Sequence, residues 1–314
     1  VRVQAVLVAG DRGAARAIGG RSKAFVEIAG KPMVLHVLEA LLHTPEVSEV
    51  FVVGDARRLE RAVAQYGALE LAAVRGKPIH IVPQRDSLYE NIWHTFLRTL
   101  PPGKPDPDHP ILVAPTDIPL VVPEEISDFV ERALACRAGH VVGLSPEISL
   151  QSFAPRDTEP GISMACFNLA EGRFRHNNLH LVRPLRIGNR HYVQEVYENR
   201  YQKEWGNMLR LGSRILRKEY RNLWALFPYL GMHLAGVLDR RGWRRAADRI
   251  RSWVPLRTVE RAIGAMFRTE FVTVTTALGG AAMDIDNAED LAVAEKMIGR
   301  WKALQARMAR GRAA

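Results

Sequence analysis

Glycines 10 and 13, set among Arg12, Arg16, Arg21 and Lys23, are the residues of this sequence best placed for chemistry. In Leu7-Val-Ala-Gly-Asp-Arg-Gly-Ala-Ala-Arg16, small residues let backbone N–H groups approach a polyanion, and the nearby cations complete the site. No G-x-x-x-x-G-K-[ST] occurs, so a triphosphate held here is held without a Walker loop. Three more segments carry suitable groups. Asp117, in Ala114-Pro-Thr-Asp-Ile-Pro-Leu120, follows a buried apolar run, and the carboxyl end of a central strand is where α/β proteins bind ligands. Taken alone, it could equally be a turn aspartate that caps a helix near Pro123. In Met283-Asp-Ile-Asp-Asn-Ala-Glu-Asp-Leu291, alternation puts Asp284 and Asp286 on one side of an extended segment. The competing reading makes Asp286 or Asn287 a helix cap, with Glu289 and Asp290 complementing the helix dipole. Finally, Gly172-Arg-Phe-Arg-His-Asn-Asn-Leu-His180 leads into Leu181-Val-Arg-Pro-Leu-Arg186. Amides and imidazoles pair with hydroxyls while arginines grip phosphate in a fork, so Asn177, Asn178, His180, Arg183 and Arg186 suit a phosphorylated polyol or sugar. A turn followed by a solvated basic strand is the bland alternative.

The elements that must position these groups alternate through the first half of the chain. Val1 to Val8 reads as a strand, Met33 to Leu42 as a helix and Val47 to Val53 as a strand. A helix over Arg57 to Tyr66, a strand over Ile79 to Val82 and a helix over Leu88 to Leu100 follow. The proline-rich stretch 101–110 must be a surface loop. Ile111 to Ala114 and His140 to Leu144 read as strands around a helix over Glu124 to Ala135. This order predicts an α/β fold, a three-layer, mostly parallel mixed sheet. From Ser149 to about Asn199 irregular strands and loops are expected, then helices from Trp205 to Met266. A strand over Phe271 to Thr276 and a helix over Asn287 to Met308 close the chain. The expected organisation is therefore an α/β core over 1–148, an inserted helical elaboration over 149–269 that binds an acceptor, and a closing segment over 270–314.

Composition narrows the partners. The 314 residues are 47% hydrophobic and 25% charged, ordinary for one large globular core with an appendage. Cys136 and Cys166 offer neither metal-ligand spacing nor a disulfide framework, which predicts a reducing cytoplasm. The first residues do not read as a signal peptide. A net charge of +10 favours anionic partners. No recognition helix, RNA-binding signature or zinc finger is present, so a nucleic-acid-binding module is disfavoured. Leu223 to Leu238 is too short and broken for a comfortable membrane span. Trp205, Trp224, Trp243 and Trp253 accompany clusters such as Arg240-Arg241 and Arg244-Arg245. That composition suits an interfacial helix on an anionic membrane, at the inner face, or a helical subdomain or homo-oligomer contact with tryptophans in its core.

Leu7, Ala9, Gly10, Gly13 and Arg16, together with Lys23 and Gly30-Lys31-Pro32-Met33, resemble the opening of the nucleotidyltransferase superfamily with a glycosyltransferase-A-like fold. Its relatives include molybdenum-cofactor guanylyltransferases, sugar-1-phosphate nucleotidyltransferases and methylerythritol-phosphate cytidylyltransferase. Asp11 replaces the family's second glycine, and Ser22 the proline before the lysine. The resemblance implies nucleotide binding by Ala9, Gly10, Asp11, Gly13, Arg16 and Lys23. Asp117 matches the family's D-x-P-[LF] motif, which implies a Mg²⁺ ligand, and Asp284-Ile-Asp286 matches its closing motif, either aspartate supplying the second ligand. Val82-Pro-Gln-Arg-Asp-Ser-Leu-Tyr-Glu-Asn91 occupies the place of the turn that contacts base and ribose, with Arg85, Ser87 and Asn91 as contacts. Asp86 or Ser87 could instead simply cap the next helix. The implied reaction is transfer of a nucleotide from an NTP, CTP foremost, to a phosphorylated small molecule with release of pyrophosphate, with Lys23, Arg16 and Asp117 catalytic. A nucleotide-sugar-dependent glycosyltransferase of the same fold is the rival, although it would want D-x-D after a central strand, where only Asp117 stands.

Overall fold

In the computed structural model, described here for residues 2–12, 17–156, 158–190, 230–231, 234–238 and 241–313, one mixed sheet organises the chain. Its strands are β1 (Val3–Ala9), β6 (Val47–Gly54), β7 (Ile79–Pro83), β8 (Ile111–Pro115), β9 (His140–Pro146), β10 (Phe167–Leu169), β11 (Gly172–Val182) and β12 (Phe271–Thr275), with the short pairs β2 (Ala17–Ile18), β3 (Arg21–Ser22) and β4 (Glu27–Ile28), β5 (Lys31–Pro32) outside it. The order across the sheet is β12-β9-β11-β8-β1-β6-β7, with β10 paired to β11. β1 runs parallel to β6 and β8, β6 to β7, and β9 to β12. β11 alone in that row runs against both its neighbours, β8 and β9.

Near-continuous apolar strands such as Val-Gln-Ala-Val-Leu-Val-Ala of β1 need cover on both faces, and helices supply it. On one face α1 (Met33–His43), α2 (Ala56–Gln65), α3 (Ala68–Arg75) and α5 (Pro123–Cys136) bury Leu7, Val50, Val52, Leu112 and Leu181. On the other, α4 (Leu88–Thr99) and α8 (Leu256–Phe267) cover Val6, Phe51, Val53, Val113 and Val182. The helices α6 (Glu147–Leu150), α7 (Arg244–Arg251) and α9 (Ala288–Ala313) lie outside these two layers. A third cluster, with Ile28, Met33, Leu120, Phe153, Met283, Ile285 and Trp301, clamps α9 and the segment before it onto the end of the sheet. Ile126, Phe129, Val130 and Ala133 make α5 amphipathic and dock it beside that clamp.

The sheet differs from the expected organisation in one respect that matters for the site. The segment 149–269 is not wholly an appendage, because it contributes β11 to the middle of the sheet. Its polar residues hide the strand pattern: Asn177, Leu179 and Leu181 are buried on one face while His176, Asn178 and His180 take the other. A register shift against β9 between His176 and His180, with Asn178 at φ 63°, interrupts the ladder there. Helix α3 also lies where no element was expected. The expected run of helices from Trp205 falls outside the described residues as far as 229.

Candidate functional site

A cavity of about 520 Å³ opens at the carboxyl ends of β1 and β8, beside β11. Its polar end is lined by Gly10, Asp11, Arg12, Ser22, Lys23, Asp117 and Asp284. At the centre of that end Lys23 is gripped by two carboxylates: its Nζ lies 3.0 Å from Asp117 Oδ2 and pairs also with Asp286 Oδ1. The Lys23 side chain is 11% exposed and that of Asp117 18%. Burial alone would weaken the ammonium, but the adjacent Asp117 and Asp286 outweigh it and raise its pKa above the ordinary lysine range.

Local sequence explains this convergence. Asp117 sits just past β8, and its backbone carbonyl accepts the amide of Ile285 at 2.8 Å, so the two acidic segments are laced together. Buried Ile285 anchors an extended stretch, and alternation turns Asp284 and Asp286 to the other side. Helix capping falls to Asn287, whose Oδ1 accepts from the Asp290 amide at 2.8 Å. The two aspartates have different partners. Asp286 meets Lys23, while Asp284 pairs with the Arg175 guanidinium. Burial pushes the Asp284 carboxyl up, against the opposing pull of Arg175. Beneath this segment the fully buried Glu125 accepts the Ala281 amide at 2.9 Å, and its burial raises it to about 8.

The glycine loop is stitched to the β7–α4 turn. The Asp11 amide donates to Gln84 Oε1 at 3.0 Å, and Gln84 Nε2 donates back to Asp11 Oδ1 at 2.9 Å. Arg58 approaches Asp11 at 3.7 Å and lies over the Phe25 ring, and Arg12 meets Asp86 at 3.2 Å. Asn91 presses so closely on Gly10 that a Cβ there would fall 2.8 Å from its Nδ2. Its Oδ1 accepts the Arg85 amide. Asp11 therefore replaces a glycine without emptying the loop, its carboxylate being neutralised by Arg58 and held by Gln84. Gly13 and Arg16 lie outside the described residues. Ala9 is buried in the core, leaving only its backbone for a ligand.

The remaining expected contacts divide. Asn91 lines the cavity. Ser87 caps α4, accepting from the Glu90 amide at 3.1 Å, and Arg85 is exposed. On β11, Asn178 and His180 line the cavity. Asn177 instead points to the opposite face, where it donates to Thr276 Oγ1 at 3.0 Å and fills the space that Gly143 leaves. Arg183 donates to the Ala138 carbonyl and Arg186 to the Arg137 carbonyl, with Asp108 beside Arg186. These three side chains are occupied in holding the fold.

Residues not singled out in the sequence complete the far end. His140 lies on β9 with Nε2 3.0 Å from His180 Nδ1, and the His176 ring packs on His180. Burial, and then the neighbouring His176, lower His140 to about 4, so it is neutral near pH 7. Leu88, Ile92, Val182 and Ile187 make an apolar wall there, and Arg190 stacks on Trp93 at 4.3 Å. Only alternation along β11 signals His176, and Gln84 announces itself only by following directly on a strand end.

Asp117 and Asp286 offer hard oxygen donors that converge on one cation, the role Lys23 fills in the protein alone. Among the described residues no group of three or more His, Cys, Asp or Glu side chains forms a metal cage. Such a pair suits Mg²⁺, which takes one or two carboxylates and draws its other oxygens from phosphate and water.

The sequence profile of the MobA-like NTP transferase domain matches residues 5–163, a stretch that runs from β1 through the glycine loop, Lys23 and Asp117 to Ser149 and beyond. The chain belongs to this family of nucleotidyltransferases. Over 66 residues it is 38% identical to the molybdenum cofactor guanylyltransferase of Shewanella amazonensis (strain ATCC BAA-1098 / SB2B), covering 21% of this chain and 31% of that protein. The match thus spans about a third of the length of that curated relative. A hypothetical transferase from Thermus thermophilus superposes with TM-score 0.56 at 23% identity, over 93% of this chain and 100% of that one, and shares its fold. A 4-diphosphocytidyl-2C-methyl-D-erythritol synthase from Anaerococcus prevotii DSM 20548 follows at TM-score 0.46 and 10% identity, over 95% of this chain and 96% of that one.

Proposed function

We propose that this chain transfers a nucleoside monophosphate from an NTP to the phosphate of a polyol or sugar phosphate, with release of pyrophosphate. The observation that carries the reading is Lys23 held between Asp117 and Asp286 at the polar end of the cavity, below the Gly10–Arg12 loop. The triphosphate lies along that loop, where backbone amides and Arg12 meet its charge. Lys23, released from one or both carboxylates, pairs with the β- and γ-phosphates, and Arg16 joins it. Magnesium held by Asp117 and Asp286 would neutralise charge on both phosphate groups. Asn178 and His180 orient the acceptor. One of its phosphate oxygens attacks the α-phosphorus in line. That P–O bond forms as the bond to the β-bridging oxygen breaks, and pyrophosphate leaves with the electron pair. A phosphate monoester is already ionised near neutral pH, so the chain needs no dedicated base. Its own contribution is positioning and charge complementarity.

Asn178 and His180 support a hydroxyl-bearing acceptor, since an amide and an imidazole match hydroxyls. The test is a pyrophosphate-release screen of CTP, GTP, UTP and ATP against phosphorylated polyols, sugars and molybdopterin, starting with CTP. Release that needs Mg²⁺, one NTP and one phosphorylated acceptor is expected. Release of a free nucleoside diphosphate from a nucleotide sugar, with none from any NTP, would establish the glycosyltransferase instead.

A further inference from the structure

Trp243 and Trp253, the tryptophans of the basic segment among the described residues, are not where a packed helical subdomain would put them. Trp243 is 62% exposed and Trp253 72%, and Leu230 and Leu234 are exposed as well. Trp243 immediately precedes α7 and Trp253 follows it by two residues, so the two rings flank a helix about 12 Å long. Two contacts bring together the backbone segments that carry these four residues. The Trp243 amide donates to the Leu238 carbonyl at 3.0 Å, which ties α7 to the helical residues 234–238. A Cβ on Gly231 would fall 2.6 Å from Val254 Cγ2, so the residue after Leu230 meets the residue after Trp253.

Between the rings α7 carries Arg244, Arg245, Arg249 and Arg251 against the single acid Asp248, which Arg251 engages. Arg241 adds one more exposed cation, and Ala247 alone in the helix is buried. An eight-residue helix with one buried residue contributes almost nothing to a core. The composition of the helix and its flanks, exposed indole, leucine and guanidinium, fits the boundary between lipid headgroups and acyl chains. No helix among the described residues is long and apolar enough to cross a membrane, so the contact is peripheral.

Its position gives the contact a purpose. The Ala170 amide donates to the Val254 carbonyl, and Glu171 accepts the Leu256 amide at 2.9 Å. Those bonds fix the patch to the tip between β10 and β11. Because β11 runs against its neighbours, this tip lies at the carboxyl edge of the sheet, where the cavity opens.

We infer that Leu230, Leu234, Trp243 and Trp253, with the arginines of α7, form a docking surface for an anionic lipid bilayer, at the edge of the sheet that carries the cavity. It goes beyond the proposed transfer reaction, and its test does not depend on turnover. The full chain is cosedimented with phosphatidylcholine vesicles and with vesicles that also contain phosphatidylglycerol. Binding to the anionic vesicles alone, weakened by salt, is expected. Arg244→Glu together with Arg245→Glu, and separately Trp243→Ala together with Trp253→Ala, each lower the bound fraction constant by roughly tenfold or more, with circular dichroism and thermal melting unchanged. No sedimentation with anionic vesicles at low salt overturns the inference, and so does equal binding by the tryptophan double variant. Light scattering provides a third decision: a wild-type dimer that the tryptophan variant dissolves, with no vesicle binding, makes this face a contact between two copies of the chain.

Discussion

The two ends of the cavity are built on opposite plans. At the polar end Lys23, Asp117, Asp286, Asp11 and Arg58 compensate one another's charge within a few ångströms. At the β11 end a neutral His140 touches His180 over an apolar floor of Val113 and Val182. In the proposed reaction the first arrangement would handle the charge of the triphosphate and the second would discriminate the shape and hydroxyl pattern of the acceptor. On that proposal one end is general for the chemistry and the other specific to the molecule that receives it.

Breaking the polar end should have the largest effect. Lys23→Ala and Asp117→Ala are each expected to lower pyrophosphate release on the order of 10²–10³-fold, the scale of removing one positioned electrostatic partner. Turnover within a fewfold of wild type in either variant would remove the assignment. At the other end, Asn178→Ala and His180→Phe should raise the KM for the acceptor by roughly tenfold while leaving the KM for NTP alone. A matching change in both constants would abolish the division proposed between the two ends.

Below the polar end, Glu125 offers a third measurement. Its carboxyl is raised from 4.5 to about 8 by burial, so the native state holds a proton that the unfolded chain releases. Stability should therefore be highest on this account below the unfolded value and fall as pH rises towards 8, by up to about 1.4 kcal/mol per pH unit. Glu125→Gln should flatten that slope, as read by urea denaturation across the range. Parallel slopes in the two proteins would contradict it. The smallest change is expected for Arg186→Ala. Its guanidinium holds the Arg137 carbonyl and meets Asp108, so the acceptor KM should stay within about twofold and stability within about 0.5 kcal/mol.

Legibility in the sequence follows the same division. Asp117 stood out in the sequence because it follows directly on an apolar strand, and Lys23 and the Asp284/Asp286 pair because each lies in a short motif that resembles the family's. The sheet order was less legible. β11 reads as a polar loop because the face that a buried strand would fill with valine carries histidines and Asn178. A left-handed Asn178 and a register shift then disturb its alternation. Arg183 and Arg186 suit a phosphate by composition, and composition does not encode the backbone carbonyls that both meet in the fold. Gln84 and Arg58 were missed because their role is to hold Asp11, a relation that spans 73 residues in one case and closes only in three dimensions. Trp243 and Trp253 suited both a packed core and an exposed surface by composition, and only their exposure in the fold separates these.

The reversed direction of β11 has a consequence for diversification. Its polar face forms one side of the chamber, whereas the ammonium–carboxylate triad is assembled from the opening loop, the end of β8 and the run-up to the last helix. On the proposed reaction, substitutions at 176, 178 and 180 would re-tailor the recipient molecule while the phosphate-handling apparatus stays as it is, and new specificities would accumulate along this single stretch of backbone.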